Sequence, residues 1–210
     1  MKRAMWIVSL ATIGCSSGGS SGGPSTFVDA GPTAATSSDA NAPEAGDAGT
    51  EAAIVLEDFD AGPADFDCFK NSEWTAVGLS HYKNELGHTA EMLSVAQSVD
   101  GGTFPVGTII QLNPAEAMVK RGAGFNASSN DWEFFTLDVS DAGATITARG
   151  GGSTVSNANG QCLGCHLPAQ AAWDLVCGDD PDGGPATAHG CTPLPVPYSV
   201  LAAIVNPQCP

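Results

Sequence analysis

Positive charge is scarce in this chain, with 7 Lys and Arg against 23 Asp and Glu in 210 residues and a formal net charge of -16. Between Ala4 and Phe69 there is no Lys or Arg, although Asp29, Asp39, Glu44, Asp47, Glu51, Glu57, Asp58, Asp60, Asp65 and Asp67 lie there. The acidity is therefore local rather than spread over the chain. Lys70, Lys83, Lys120, Arg121 and Arg149 are scattered through the remainder, so no basic stripe can follow a phosphate backbone and no nucleic-acid partner is expected. Long apolar runs are missing too. The block Ala4 to Ile13 is too short for the roughly 20 residues that cross a bilayer.

That block has another use. Preceded by Lys2 and Arg3, it has the length of a signal-peptide core, so export is expected. Thr12-Ile13-Gly14-Cys15 resembles a bacterial lipobox, with Thr12 standing where Leu is usual. The resemblance implies that Cys15 is lipidated and becomes the mature N-terminus; an ordinary signal peptide is the alternative. Ser16, in place of a retaining aspartate, implies an anchor in the outer membrane, on the periplasmic side or at the cell surface. Residues 1–15 thus read as a lipoprotein-type signal peptide. Residues 16–67, rich in Gly, Ala, Ser, Pro and acid, cannot bury enough apolar surface to offset chain entropy and read as a disordered tether. At about 5 to 6 Å times the square root of its length, it reaches on the order of 40 Å. Residues 68–210 remain as a single domain.

The domain reads as mainly β (α+β), an antiparallel sheet with a few short helices. Residues 72–97 are ambiguous and are expected to form a short helix followed by a strand near Met92 to Ala96. Thr108 to Leu112 is β-branched and follows turn signals, and Ala115 to Lys120 extends it or pairs with it. Trp132 to Val139 and Ala144 to Arg149 flank an Asp141-Ala142-Gly143 turn and predict a hairpin. Ala169 to Val176 follows Pro168 and predicts a short helix; the Pro- and Gly-rich tail after Gly178 is expected to wrap the domain, although Ser199 to Val205 could make two helical turns.

Cys162-Leu163-Gly164-Cys165-His166 carries the chemistry. Two thiols three residues apart can add across the two vinyl groups of one macrocycle, and the adjacent histidine is placed to ligate its iron. By composition alone the pattern would arise in about one such chain in a few hundred. The motif predicts a covalent haem c held by Cys162 and Cys165, with His166 as the proximal iron ligand. Two rivals use the same residues. A thioredoxin-like dithiol wants a preceding strand and a βαβ setting, which the glycines at 150–152 do not suggest. A zinc site could draw on Cys162, Cys165, Cys177, His189 and Cys191. Apart from the motif and Cys15, the cysteines are Cys68, Cys177, Cys191 and Cys209, which can close two disulfides in any of three ways.

The other side of the iron is less defined. No methionine follows Met118, which excludes a ligating methionine downstream of the motif, as small electron carriers use. His81 and His88 are candidate sixth ligands and share a face with Glu85 if that segment is helical; each is otherwise a plain surface or structural histidine. His189 fits a structural role beside a disulfide. Trp132, Phe134 and Phe135 could wall a macrocycle or simply fill the sheet core.

Phe104 to Ile110, Ala117 to Arg121, Asn130 to Phe135, the haem motif and Trp173 to Val176 resemble, in order, the cytochrome P-460 family, which includes the beta-type cytochromes c-prime. The resemblance covers roughly residues 72–177. It implies an antiparallel β domain, a histidine-ligated covalent haem and an open distal side that binds nitric oxide or oxidises hydroxylamine. The oxidising members carry a lysine cross-linked to the macrocycle, often where this chain has Gln111; Lys120 lies nearby without a clear match. Their distal carboxylate implies Glu116 or Glu133, either of which could equally be an ordinary strand residue.

The expected function is that of an exported mono-haem protein binding a small diatomic or nitrogenous ligand, with possible electron transfer to an unknown redox partner. The alternatives are a hydroxylamine-type oxidoreductase, with Lys120, Glu116 and Glu133 as candidate catalytic residues, and a zinc-stabilised surface binding module.

Overall fold

The computed structural model describes residues 56–67, 69, 73–113, 115–157, 160–169, 171–178, 189–192 and 197–205. The signal peptide, Cys15, the tether up to residue 55, Cys68 and Cys209 lie outside these. Among the described residues no helix is long and apolar enough to cross a membrane.

The domain is mainly antiparallel β. Six strands run as a meander in sequence order: β1 (Thr75–Val77), β2 (Ser80–Asn84), β3 (Thr108–Asn113), β4 (Glu116–Lys120), β5 (Trp132–Ser140) and β6 (Gly143–Gly150). A short ladder, β7 (Ser156–Asn157) with β8 (Gly160–Gln161), follows the sheet. The helices are α1 (Thr89–Ala96), α2 (Cys162–His166) and α3 (Tyr198–Val205).

The hairpin of β5 and β6, the strand at 108–113, its partner strand and the C-terminal helix follow the expected pattern. Residues 75–97 invert it: strands come first and the helix last. Gly78, at φ 62, supplies the positive φ that the first position of a two-residue hairpin loop needs, so Val77 pairs with Ser80. Thr89 to Ala96 contains Ala90, Glu91, Met92 and Leu93, all better suited to a helix than to a pleat, and Met92 is fully buried. The predicted helix over Ala169 to Val176 is also absent. A single 3-10 turn at Ala171–Trp173 ends where Asp174 (φ 50) and Leu175 (φ 63) turn left-handed.

Strand alternation divides the side chains between two faces. Tyr82, Ile110, Met118 and Phe134 align across β2 to β5 and share one core with Trp132, Leu163, Leu175 and Val176. On the opposite face Ile109, Ala117, Val119, Phe135 and Leu137 pack with Ala61, Phe66 and Trp74. Phe66 is 2 % exposed, and its ring lies 5.0 Å from that of Phe135, a burial that contributes about 1.5 to 3 kcal/mol. Residues 56–67 therefore belong to the folded domain, which corrects the tether boundary expected at 67. Two phenylalanines and Ala61 within an otherwise acidic stretch are the anchors that composition averaging hides.

Candidate functional site

The haem-type motif forms α2 itself rather than leading into a helix. The Cys162 amide donates to the Val155 carbonyl at 3.1 Å and the Leu163 amide to the Gly152 carbonyl at 3.1 Å, which ties the helix start to the loop after β6. Leu163 is buried on the Phe134 side of the sheet. Gly152 permits that approach, because a Cβ there would sit 2.7 Å from the Leu163 Cβ and 2.8 Å from Phe134 Cε2. Positions 162, 165 and 166 then fall on neighbouring parts of one helical turn. Cys162 and Cys165 are thiols, not a disulfide. Burial, with the Glu116 charge second, pushes the Cys162 thiol up to about 11, so at neutral pH it carries the S–H that addition to a vinyl group consumes.

His166 is oriented by the segment that follows. Its Nδ1 lies 2.8 Å from the Leu175 carbonyl oxygen, and its ring meets Phe134 edge-on at 5.1 Å between centroids. A carbonyl oxygen only accepts, so Nδ1 carries the proton and the Nε2 lone pair remains for a metal. Burial also pushes the imidazole below its ordinary pKa and keeps it neutral, partly opposed by the Leu175 hydrogen bond. Two thiols and a neutral, Nδ1-protonated histidine on one turn are the donor set that a covalent haem requires, so the residues present fit that group.

The zinc donors are not similarly arranged. Cys177 and Cys191 form a disulfide, so neither offers a thiolate. His189 stacks on Trp173 at 3.6 Å, and its Nδ1 donates to the Val176 carbonyl at 2.8 Å. Among the described residues no group of three or more His, Cys, Asp or Glu could hold a metal ion.

The distal candidates separate by face. Glu133 points away from the motif and is 3 % exposed, with Arg121 Nη1 at 2.5 Å and Arg149 Nε at 2.7 Å. Asp58 and Asp60 complete this charge cluster with the same two arginines. The neighbouring carboxylates hold both guanidinium groups above their ordinary pKa. Gln111 shares the Glu133 face, where its Nε2 donates to the Asp67 carbonyl at 3.4 Å. Neither residue lies on the motif side. Glu116 does, accepting from Asn157 Nδ2 at 2.8 Å.

His81 lies in a strand on the far face, stacked on Phe69 at 4.0 Å, while His88 precedes the first residue of α1, its Nε2 3.2 Å from Glu57. The helical face expected for His81, Glu85 and His88 does not exist. Trp132 and Phe134 face the motif, and Phe135 faces away.

Lys120 is on the motif side but is engaged. Its Nζ donates to both carboxylate oxygens of Asp174, at 2.9 and 2.8 Å, and to the Asn130 carbonyl at 2.7 Å. Asp174 and the Leu175 carbonyl were not legible as site residues from composition or spacing. The nearest signal is an aspartate, a residue that tolerates the left-handed region, ending a short apolar stretch. No protein-family model, characterised protein or solved structure matches this chain.

Proposed function

We propose that the protein is an exported, lipid-anchored, mono-haem c-type cytochrome that binds a small ligand such as nitric oxide, in keeping with its resemblance to the beta-type cytochromes c-prime of the cytochrome P-460 family. The observation that carries this reading is the hydrogen bond from His166 Nδ1 to the Leu175 carbonyl, made by the histidine that follows two thiols on one helical turn. Cys162 and Cys165 hold the group and His166 ligates it. Once bound, haem iron supplies a coordination position and a one-electron couple. The rest belongs to the chain: Leu175 fixes the tautomer of the ligating histidine, and Leu163, Phe134 and Trp132 exclude water from the side on which it packs.

Oxidation of hydroxylamine has less support. Glu116 suits it, being on the motif side and close enough for its charge to act on Cys162. Lys120, however, is committed to Asp174, and Glu133 and Gln111 face away.

The test is the ferrous absorption spectrum of full-length protein produced with haem-attachment machinery, recorded with and without nitric oxide. A Soret band that shifts on nitric oxide addition is expected. Protein without a Soret band but with stoichiometric zinc overturns the proposal. A mass increment joining a lysine peptide to haem would favour the oxidase.

A further inference from the structure

We infer that Lys120 and Asp174 are positioning residues for His166, setting the direction of the carbonyl that fixes its tautomer. This rests on the haem reading for its consequence, but not for its geometry. Asp174 and Leu175 are consecutive non-glycine residues with φ of 50 and 63, a backbone that such residues hold only where their surroundings impose it. Here they do. The Asp174 carboxylate takes both bonds from Lys120 Nζ and a third from the Phe104 amide at 3.0 Å. Its own carbonyl accepts from Trp132 Nε1 at 2.7 Å. Lys120 also lies over the Trp132 ring, 5.2 Å from its centroid. The carboxylate and carbonyl of Asp174 are thus held by the sheet or by the loop leading into it, while its amide donates within its own turn to the Ala171 carbonyl, and the next carbonyl along is the one His166 meets.

A buried ion pair is a poor source of net stability, because desolvation offsets most of its attraction. At 6 % and 5 % exposure, Lys120 and Asp174 could be replaced by apolar residues of similar shape at little cost in folding. What an apolar pair would not supply is an anchor for the left-handed turn. Without the carboxylate, Asp174 and Leu175 relax toward ordinary backbone, the Leu175 carbonyl swings away and His166 loses its fixed proton. With haem attached, a histidine that no longer donates from Nδ1 is a weaker base toward iron, and the midpoint potential rises.

The test uses two readouts on Asp174→Asn, Lys120→Met and the double variant, in which no buried charge is left unpaired. In full-length protein made without haem, nitrogen chemical shifts of His166 report its tautomer. Wild type is expected to show protonation at Nδ1 alone, and each variant a mixture. In haem-loaded protein the variants are expected to show a raised midpoint potential with the Soret band retained. Trp132→Phe, which removes one donor to Asp174 and leaves the ion pair, is expected to give a smaller shift of the same sign. The proposal is overturned if the double variant keeps a single Nδ1 tautomer. If no haem attaches to wild type, the haem reading fails while the tautomer result still decides the positioning role.

Discussion

His166 and Leu175 are nine residues apart in sequence and 2.8 Å apart at Nδ1 and the carbonyl oxygen. That contact leaves Nε2 available to coordinate the proposed haem iron. Replacing the histidine should therefore remove the native iron ligation without removing the thioethers. His166→Ala is expected to keep covalent haem but lose the wild-type spectrum, whereas Cys162→Ala leaves at most one thioether. Pyridine haemochrome spectra and intact mass check both, and two variants with unaltered spectra would refute the assignment.

Gly152 lies between Leu163 of the motif and Phe134 of the sheet. Gly152→Ala would place a methyl group 2.7 Å from the Leu163 Cβ. Overpacking of this kind costs about 1 to 3 kcal/mol. Urea denaturation should show that loss, together with a lower yield of attached haem.

Glu133 is surrounded by guanidinium groups on the face away from the motif. Glu133→Gln leaves the buried Arg121 with Asp58 and Asp60 and the exposed Arg149 with Asp60, so stability should fall by less than the about 3 to 5 kcal/mol that an uncompensated buried charge costs. Affinity for nitric oxide is expected to stay at the wild-type value. A large loss of affinity at unchanged stability would return Glu133 to the distal site.

Stability should fall in acid in two windows. Burial pushes the His81 imidazole below its ordinary value, and its buried Nδ1 has no hydrogen-bond partner among the described residues. The unfolded chain thus takes up this proton first, so stability is full above about pH 6.5 and declines below it. His81→Phe, which keeps a ring against Phe69, is expected to reduce that decline in urea titrations between pH 7.5 and 5, leaving the share of His166, whose imidazole burial also lowers. The hydrogen bond from Arg121 holds the Asp58 carboxyl well below the usual range, despite opposing desolvation. Its contribution is present above the unfolded value of about 3.9 and is lost as pH falls through the folded one. Half of the Asp58 side chain is exposed to screening solvent, so Asp58→Asn should change this acid limb only modestly.

The sheet was legible because its strands announce themselves singly: Thr108 to Leu112 and Trp132 to Val139 are β-branched or aromatic, and turn residues bound them. That Cys162, Cys165 and His166 lie together was legible for a similar reason, since they fall within five residues. What escaped depends on distance in sequence. Lys120 and Asp174 are 54 residues apart, and a lysine in a strand gives no sign of a partner in a later turn. Glu133 looked like a distal base because spacing alone does not say which face a strand residue occupies. Register does, and register is set by partners across the sheet. Residues 56–67 were assigned to the tether because the composition there is acidic, while Phe66 and Ala61, with Phe59 partly buried beside them, pack on the sheet and Asp58 and Asp60 pair with its arginines.

Lys120 and Arg121 are adjacent, yet one ammonium meets Asp174 on the motif side and the other cation meets Glu133 on the far side. A slip of one residue in β4 would exchange them, bringing a guanidinium to acceptors placed for an ammonium and leaving three carboxylates, Asp58, Asp60 and Glu133, short of a forked donor. The chain is therefore intolerant of length change in a place where composition would suggest tolerance. A single inserted residue between Ala115 and Lys120 would damage both faces at once, whereas almost any point substitution there damages only one.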